Sequence, residues 1–124
     1  MNSALLRRLS LCETDIDGAI RRFSGDETLY ISCLRSFLQD ATMQELNEAI
    51  LMQAWDDAFT AAHALKGLAG NMGFVPLFHA TSELVVLIRS GRIKEIGQSS
   101  QQLRNVYNEV TTAIRLGTEE TESL

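Results

Sequence analysis

The chain has few of the features that mark secreted, membrane or metal-binding proteins. It has two cysteines, Cys12 and Cys33, which lie among apolar residues and show no CxxC or other metal-binding spacing. We therefore expect two reduced thiols in a cytosolic protein, with a disulfide between them as the less favoured alternative. Because no apolar run is long enough for a signal peptide or a membrane span, a cytoplasmic protein without membrane contact is predicted.

Basic residues are also fewer than acidic ones. The 124 residues include 11 Lys and Arg against 16 Asp and Glu, which gives a net charge of −5. An acidic chain disfavours nonspecific binding to nucleic acid, so no nucleic-acid partner is predicted. With 45% hydrophobic and 22% charged residues, the composition is that of one ordinary domain with its own core, and we expect a monomer.

The motifs of common enzyme classes are missing as well. The sequence has no Walker or dinucleotide-binding glycine loop, no HExxH, no GxSxG and no cluster with metal-ligand spacing. We therefore predict neither a kinase activity of its own nor an intrinsic cofactor. Any phosphoryl group on this chain must come from a partner.

Helical periodicity runs through the chain, with no sustained alternation of the kind found in strands. A short helix or ordered leader is predicted within residues 1–14, and a further short helix begins after Asp15 as N-cap and runs to about Phe23. Connections are short, so the predicted fold is all-α, an antiparallel four-helix bundle with short additional N-terminal helices. The segments predicted for the bundle are a first helix from residue 26 that bends or restarts near 40–42, followed by 54–72, 76 to about 90, and 96–116.

Local signals predict where these helices begin and end. Asp26 is a candidate N-cap, and Thr42 with Glu45 forms a capping-box pattern where the apolar stripe changes phase. Pro76 suits the first turn of a helix, and Gly117 is expected to stop the last one. The bundle domain is therefore predicted to span 15–116, followed by an acidic, disordered tail at 117–124.

The stretch A-A-H-A-L-K-G-L-A-G-N-M-G-F at 61–74 holds one of the two histidines. His63 falls beside the apolar face of its helix, in a second stripe with Lys66, Gly67 and Gly70. Glycine inside a helix costs about 1 kcal/mol relative to alanine, so close approach by another surface is a reason to have it here. The apolar face itself is formed by Trp55, Ala58, Ala62, Leu65, Ala69 and Met72.

This stripe has the chemistry of a phosphoryl acceptor. A neutral imidazole such as that of His63 can attack phosphorus, and Lys66 could stabilise the added charge. Gly67 and Gly70 would leave the approach open; close packing within the bundle is the alternative, which their position on the flank makes less favoured. His79 lies off its own apolar stripe without companions and is interpreted as an ordinary side chain.

The run H-A-L-K-G-L-A-G-N-M-G-F at 63–74 resembles the signature of histidine-containing phosphotransfer (HPt) domains, and residues 15–116 follow that family's order of elements. The resemblance implies that His63 is phosphorylated on Nε2, with Lys66 and Gly67 in supporting positions. It further implies receiver domains as donor and acceptor, belonging to a hybrid sensor histidine kinase and a downstream regulator. The receiver would supply the aspartate and the Mg²⁺ ion.

Three residues depart from the family pattern. Ala54 stands where members often have a helix-capping aspartate, and Val85 replaces a frequent glutamate in the next helix. Phe59, one turn before His63, is bulky and apolar. We expect receivers to dock at the rim of the His63 stripe together with exposed apolar residues of the preceding helix. The rim includes Phe59, Thr60, Lys66, Gly67 and Gly70.

The main prediction is thus a phosphorelay protein that passes a phosphoryl group between receiver aspartates through His63. One alternative is a helical interaction module that docks receivers without relaying phosphate, and another is a structural bundle whose stripe is incidental. The initial methionine and short leader suggest a free-standing protein, although a domain excised from a hybrid kinase would look the same.

Overall fold

Seven helices form the regular structure of residues 3–122, the part of the chain that the computed structural model describes. The predicted all-α class is confirmed, and between these residues the one strand-like pairing is an isolated bridge of Thr14 with Phe74. No helix in this part of the chain is both long and apolar enough to cross a membrane. The helices are α1 (Ser3–Leu11), α2 (Ile16–Arg22), α3 (Glu27–Phe37), α4 (Thr42–Leu51), α5 (Trp55–Met72), α6 (Val75–Arg89) and α7 (Ile93–Glu122).

The larger helices pack as an antiparallel bundle. Helix α5 contacts α4 on one side and α6 on the other, α6 contacts α7, and α3 contacts α7. Helices α3 and α4 therefore share the fourth side of the bundle, on either side of the predicted bend. Short connections at 52–54, 73–74 and 90–92 reverse the chain between successive helices. Of the two N-terminal helices, α1 packs along α7 and α2 against α5.

One hydrophobic core joins these helices. Each helix from α3 to α7 contributes a fully buried leucine, and burying such a side chain stabilises the fold by roughly 1.5–3 kcal/mol. The core is continuous enough to hold α5 in one orientation, with its other flank facing out. The five leucines are Leu34, Leu46, Leu65, Leu84 and Leu103.

Helix α5 ends where the sequence predicts. Gly73 takes a left-handed backbone conformation with φ of 79°, which glycine adopts without strain. A Cβ atom at this position would lie 2.5 Å from the carbonyl oxygen of Asp15. The Asp15 amide in turn donates a hydrogen bond to the carbonyl of Gly73 (2.8 Å). The C-terminus of α5 is thus tied to the start of α2, and only a glycine fits there.

The predicted capping box at Thr42 is wrong. The N-cap of helix α4 is Ala41, one residue before the predicted N-cap, and Thr42 is the first helical residue. The amide of Thr42 donates to the carboxylate of Asp40 at 2.8 Å, so Asp40 takes the amide that the Glu45 side chain was expected to satisfy. The predicted N-caps Asp15 and Asp26 are confirmed, since each accepts from an amide of its helix's first turn.

The predicted stop at Gly117 is also wrong. Helix α7 continues through it to Glu122, so the predicted disordered tail is helical over 117–122, while Ser123 and Leu124 lie outside the described residues. Gly117 is buried, and a Cβ atom there would lie 2.6 Å from the Cα of Leu5. This glycine lets α1 pack closely against α7, and an ion pair between Arg8 and Glu120 joins the same two helices. Contact with α1 therefore extends the helix beyond its apparent stop.

Candidate functional site

The structure places His63 on the exposed flank of α5. The predicted apolar face is confirmed for Ala58, Ala62, Leu65, Ala69 and Met72, which are buried against the core, whereas Trp55 is half-buried. Because a helix turns by about 100° per residue, burying this face leaves His63 in contact with solvent. Neither ring nitrogen of His63 has a hydrogen-bond partner among residues 3–122. The imidazole is therefore available to a partner molecule.

An aromatic and a cationic side chain border His63 on the N-terminal side. The Phe59 ring, one turn earlier on α5, stacks with the imidazole at 6.1 Å between centroids and 27° between planes. The guanidinium of Arg89, at the end of α6, lies over the same phenyl ring at 5.1 Å from its centroid. Phe59 is half-buried and packs against the core, so it gives the imidazole a fixed neighbour.

Lys66 and Gly67 lie on the C-terminal side of His63. The Lys66 Nζ atom is 5.6 Å from the centroid of the Phe78 ring, a contact between a cation and an aromatic face. A Cβ atom on Gly67 would have no atom within 4 Å of it other than its own helix backbone. Gly67 is thus an open position on an exposed surface, and the cation one turn from His63 is held by α6.

Gly70 differs from Gly67, although both lie on the predicted stripe. Its Cβ position is 3.4 Å from the Phe78 ring, and the residue is half-buried. Packing of α6 against α5 therefore explains Gly70, and the predicted open approach at this glycine is wrong. The remaining predicted docking residue, Thr60, is exposed, and its hydroxyl donates to the carbonyl oxygen of Asp56 at 3.1 Å.

Phe78 and Arg89 are residues of the site that the sequence did not reveal. Both belong to α6 and meet the His63 flank because α5 and α6 run antiparallel, which pairs Phe59 with Arg89 and Lys66 with Phe78. Periodicity within one helix carries no information about this register. Val85, the departure from the family pattern, is buried, so its side chain brings no polar group to the flank.

A groove between α4 and α5 opens beside His63. Its volume is about 520 Å³, and Thr60 and Ala64, which flank His63 in sequence, line one wall. Glu45, Glu48 and Asp57 give the groove a negative charge. Met52 lines the groove, and both it and the adjacent Leu51 expose apolar side chains to solvent, by 76% and 82%.

Residues 3–122 contain no group of three or more His, Cys, Asp or Glu side chains arranged to hold a metal ion.

A family model for the Hpt domain matches residues 33–113, a span that runs from α3 into α7 and contains His63. The chain belongs to the Hpt-domain family. No similar curated protein or solved structure was found.

Membership gives the chain a phosphotransfer role in two-component signalling. Hpt domains are phosphocarriers and not kinases, and they interact with the receiver domains of response regulators. The bundle, the free imidazole and the adjacent cation agree with that role.

Proposed function

We propose that this Hpt domain relays a phosphoryl group between receiver aspartates through His63, with partners in a hybrid sensor histidine kinase and a downstream regulator. One observation carries the proposal. His63 is exposed and without a hydrogen-bond partner in the described part of the chain, on the same flank as Lys66 and the open Gly67. His79, the other histidine, is also exposed and lies beside the Phe78 ring at 5.9 Å between centroids, but α6 provides no lysine or arginine one turn from it.

The transfer step balances without a group from this chain other than the imidazole. The lone pair on Nε2 of His63 forms a bond to phosphorus while the bond from phosphorus to the receiver's aspartyl oxygen breaks. The electron pair of that bond returns to the aspartate as a carboxylate. Transfer to the next receiver reverses these bonds. A second receiver carboxylate then forms the bond to phosphorus, and the pair on nitrogen returns to the ring.

Lys66 and Gly67 serve this step in different ways. The ammonium of Lys66 provides a positive charge one turn from His63, where phosphoryl oxygens would gather charge in the transition state. Gly67 leaves space for the receiver's loops and for the in-line approach of the acyl phosphate. The receiver is proposed to supply the Mg²⁺ ion, which leaves to this domain the nucleophile and the surface that positions it.

Docking is proposed to use the groove between α4 and α5 together with the rim of the His63 flank. Thr60 lies on the rim and in the groove wall, while Phe59 and Gly70 border the rim as half-buried residues. The acidic side chains of the groove favour a receiver surface that carries basic residues around an apolar centre. Leu51 and Met52 would contact that centre.

The proposal is tested by incubating the protein with phosphorylated receivers. We expect phosphate that is labile to acid on the wild-type protein and on a His79→Gln control, and none on His63→Gln. Continued phosphorylation of the folded His63→Gln variant would refute the role of His63. A wild-type protein that binds the receiver and gains no phosphate would instead favour the docking module without relay.

A further inference from the structure

Three side chains form a continuous series beside the proposed nucleophile. The guanidinium of Arg89 lies over the ring of Phe59 at 5.1 Å, and that ring stacks with His63 at 6.1 Å. Helix α5 supplies two members, and α6 supplies the third. The series therefore spans two helices whose packing is fixed by the core.

Phe59 is suited to restrict the motion of the imidazole. An exposed histidine on a helix can sample several side-chain rotamers, because little around it distinguishes them. The Phe59 ring is half-buried and packed on the core, so its position varies less than that of a surface side chain. A ring stacked against the imidazole then favours the rotamers that keep this contact.

Arg89 is suited to hold Phe59 in turn. A cation over an aromatic face is attracted by the ring's electron density, and Arg89 sits at the last turn of α6. No ion pair or hydrogen bond engages its side chain in the described residues. The contact with Phe59 is thus the interaction that the structure shows for this guanidinium.

We propose that Phe59 is a positioning residue for His63, and that Arg89 supports it by fixing the phenyl ring. This inference rests on the proposed function, since it explains how the nucleophile is oriented for transfer. It assigns Phe59 a role in the rate of the chemical step, separate from its place at the docking rim. The residue acts through His63 and needs no contact with the phosphoryl group.

A first experiment measures the orientation of His63 without any phosphate. Three-bond NMR couplings across χ1 of His63 are expected to show one dominant rotamer in the wild-type protein and in Phe59→Tyr, which keeps the ring. Phe59→Leu keeps an apolar side chain without the ring, and rotamer averaging is expected there. A single unchanged rotamer in folded Phe59→Leu would overturn the proposal whether or not His63 carries phosphate.

A second experiment separates positioning from docking. In single-turnover transfer from a phosphorylated receiver, we expect Phe59→Leu to lower the saturating rate constant by about two- to tenfold, the range of an aromatic contact. Because Phe59 also borders the docking rim, Phe59→Leu is expected to raise the receiver concentration at half-saturation as well, and Phe59→Tyr should restore the rate constant. A raised half-saturation concentration with an unchanged rate constant would assign Phe59 to docking and contradict the inference.

A third experiment tests the role of Arg89 and uses the loss of another surface arginine as its control. Arg89→Gln should reproduce part of the rotamer averaging and rate loss of Phe59→Leu, whereas Arg89→Lys should retain most of the wild-type behaviour. Arg115→Gln removes the same charge from the exposed surface of α7 and should leave both measurements unchanged. Equal rate losses in Arg89→Gln and Arg115→Gln would show a general charge effect and remove Arg89 from the proposal.

Discussion

The buried and exposed faces of α5 differ in almost every physical respect, although they belong to the same 18 residues. The buried face carries four alanines, Leu65 and Met72, which pack into the core beside α4 and α6. The exposed flank carries His63, Lys66 and Gly67, with open space over the glycine. We infer from this difference that the buried face fixes the position of α5, whereas the exposed flank is the surface available to a partner protein. Changes on the two faces should therefore affect stability and phosphotransfer separately.

The largest effect is expected from a substitution on the buried face of α5, which should lower the stability of the fold. Leu65→Ala removes a fully buried side chain and should lower the free energy of unfolding by about 2–5 kcal/mol, since it leaves a cavity in the core. Urea denaturation measures this change. The fraction that remains folded should still accept phosphate at close to the wild-type rate. A loss below about 1 kcal/mol would mean that the core around α5 is less tightly packed than the structure shows.

A smaller effect is expected from the charge on the exposed flank. Lys66→Ala should slow phosphotransfer at saturating receiver by about tenfold or more, because a developing negative charge loses a cation one helical turn from His63. The free energy of unfolding should change by less than about 0.5 kcal/mol, as for most surface substitutions. Single-turnover kinetics and urea denaturation of the same variant check both parts. Lys66→Arg is the control that retains the charge.

The smallest effect is expected at Gly67 on the exposed flank. A substitution there should raise the stability of the fold and lower the rate of phosphotransfer. Gly67→Ala adds a methyl group in open space and should raise the free energy of unfolding by up to about 1 kcal/mol through helix propensity. The same methyl group should hinder receiver approach and slow transfer. Gly73→Ala is a useful contrast, since its Cβ would collide with the Asp15 carbonyl and should destabilise the fold. A stabilised Gly67→Ala variant with faster transfer would contradict the proposed open approach.

The sequence was sufficient to predict α5 because its signals are local. Apolar spacing defines the buried face, Gly73 marks the end, and the H-x-L-K-G pattern identifies the flank with His63, Lys66 and Gly67. Each of these features depends on residues within one or two helical turns. The structure accordingly agrees with the predicted helix and with the exposure of His63.

Features that depend on contacts between distant segments escaped prediction. Gly117 looks like a helix stop until α1 is seen packed against it, with Leu5 occupying the space of a side chain. Phe78 and Arg89 join the His63 flank only through the register of α6 against α5. Thr42 is a different case, since the capping pattern was present but the Asp40 carboxylate took the amide instead. More than one residue of this short turn has a side chain that can cap the helix, and the backbone geometry of the turn determines which one does.

The central claim is that the phosphoryl group is carried by His63. NMR of the phosphorylated protein, with nitrogen-15 in both histidines, tests it most directly, because a bond between phosphorus and nitrogen splits the nitrogen signal. The account predicts this splitting at Nε2 of His63, with the signals of His79 unchanged. A splitting at His79, or a phosphorylated protein with neither histidine affected, would contradict the account.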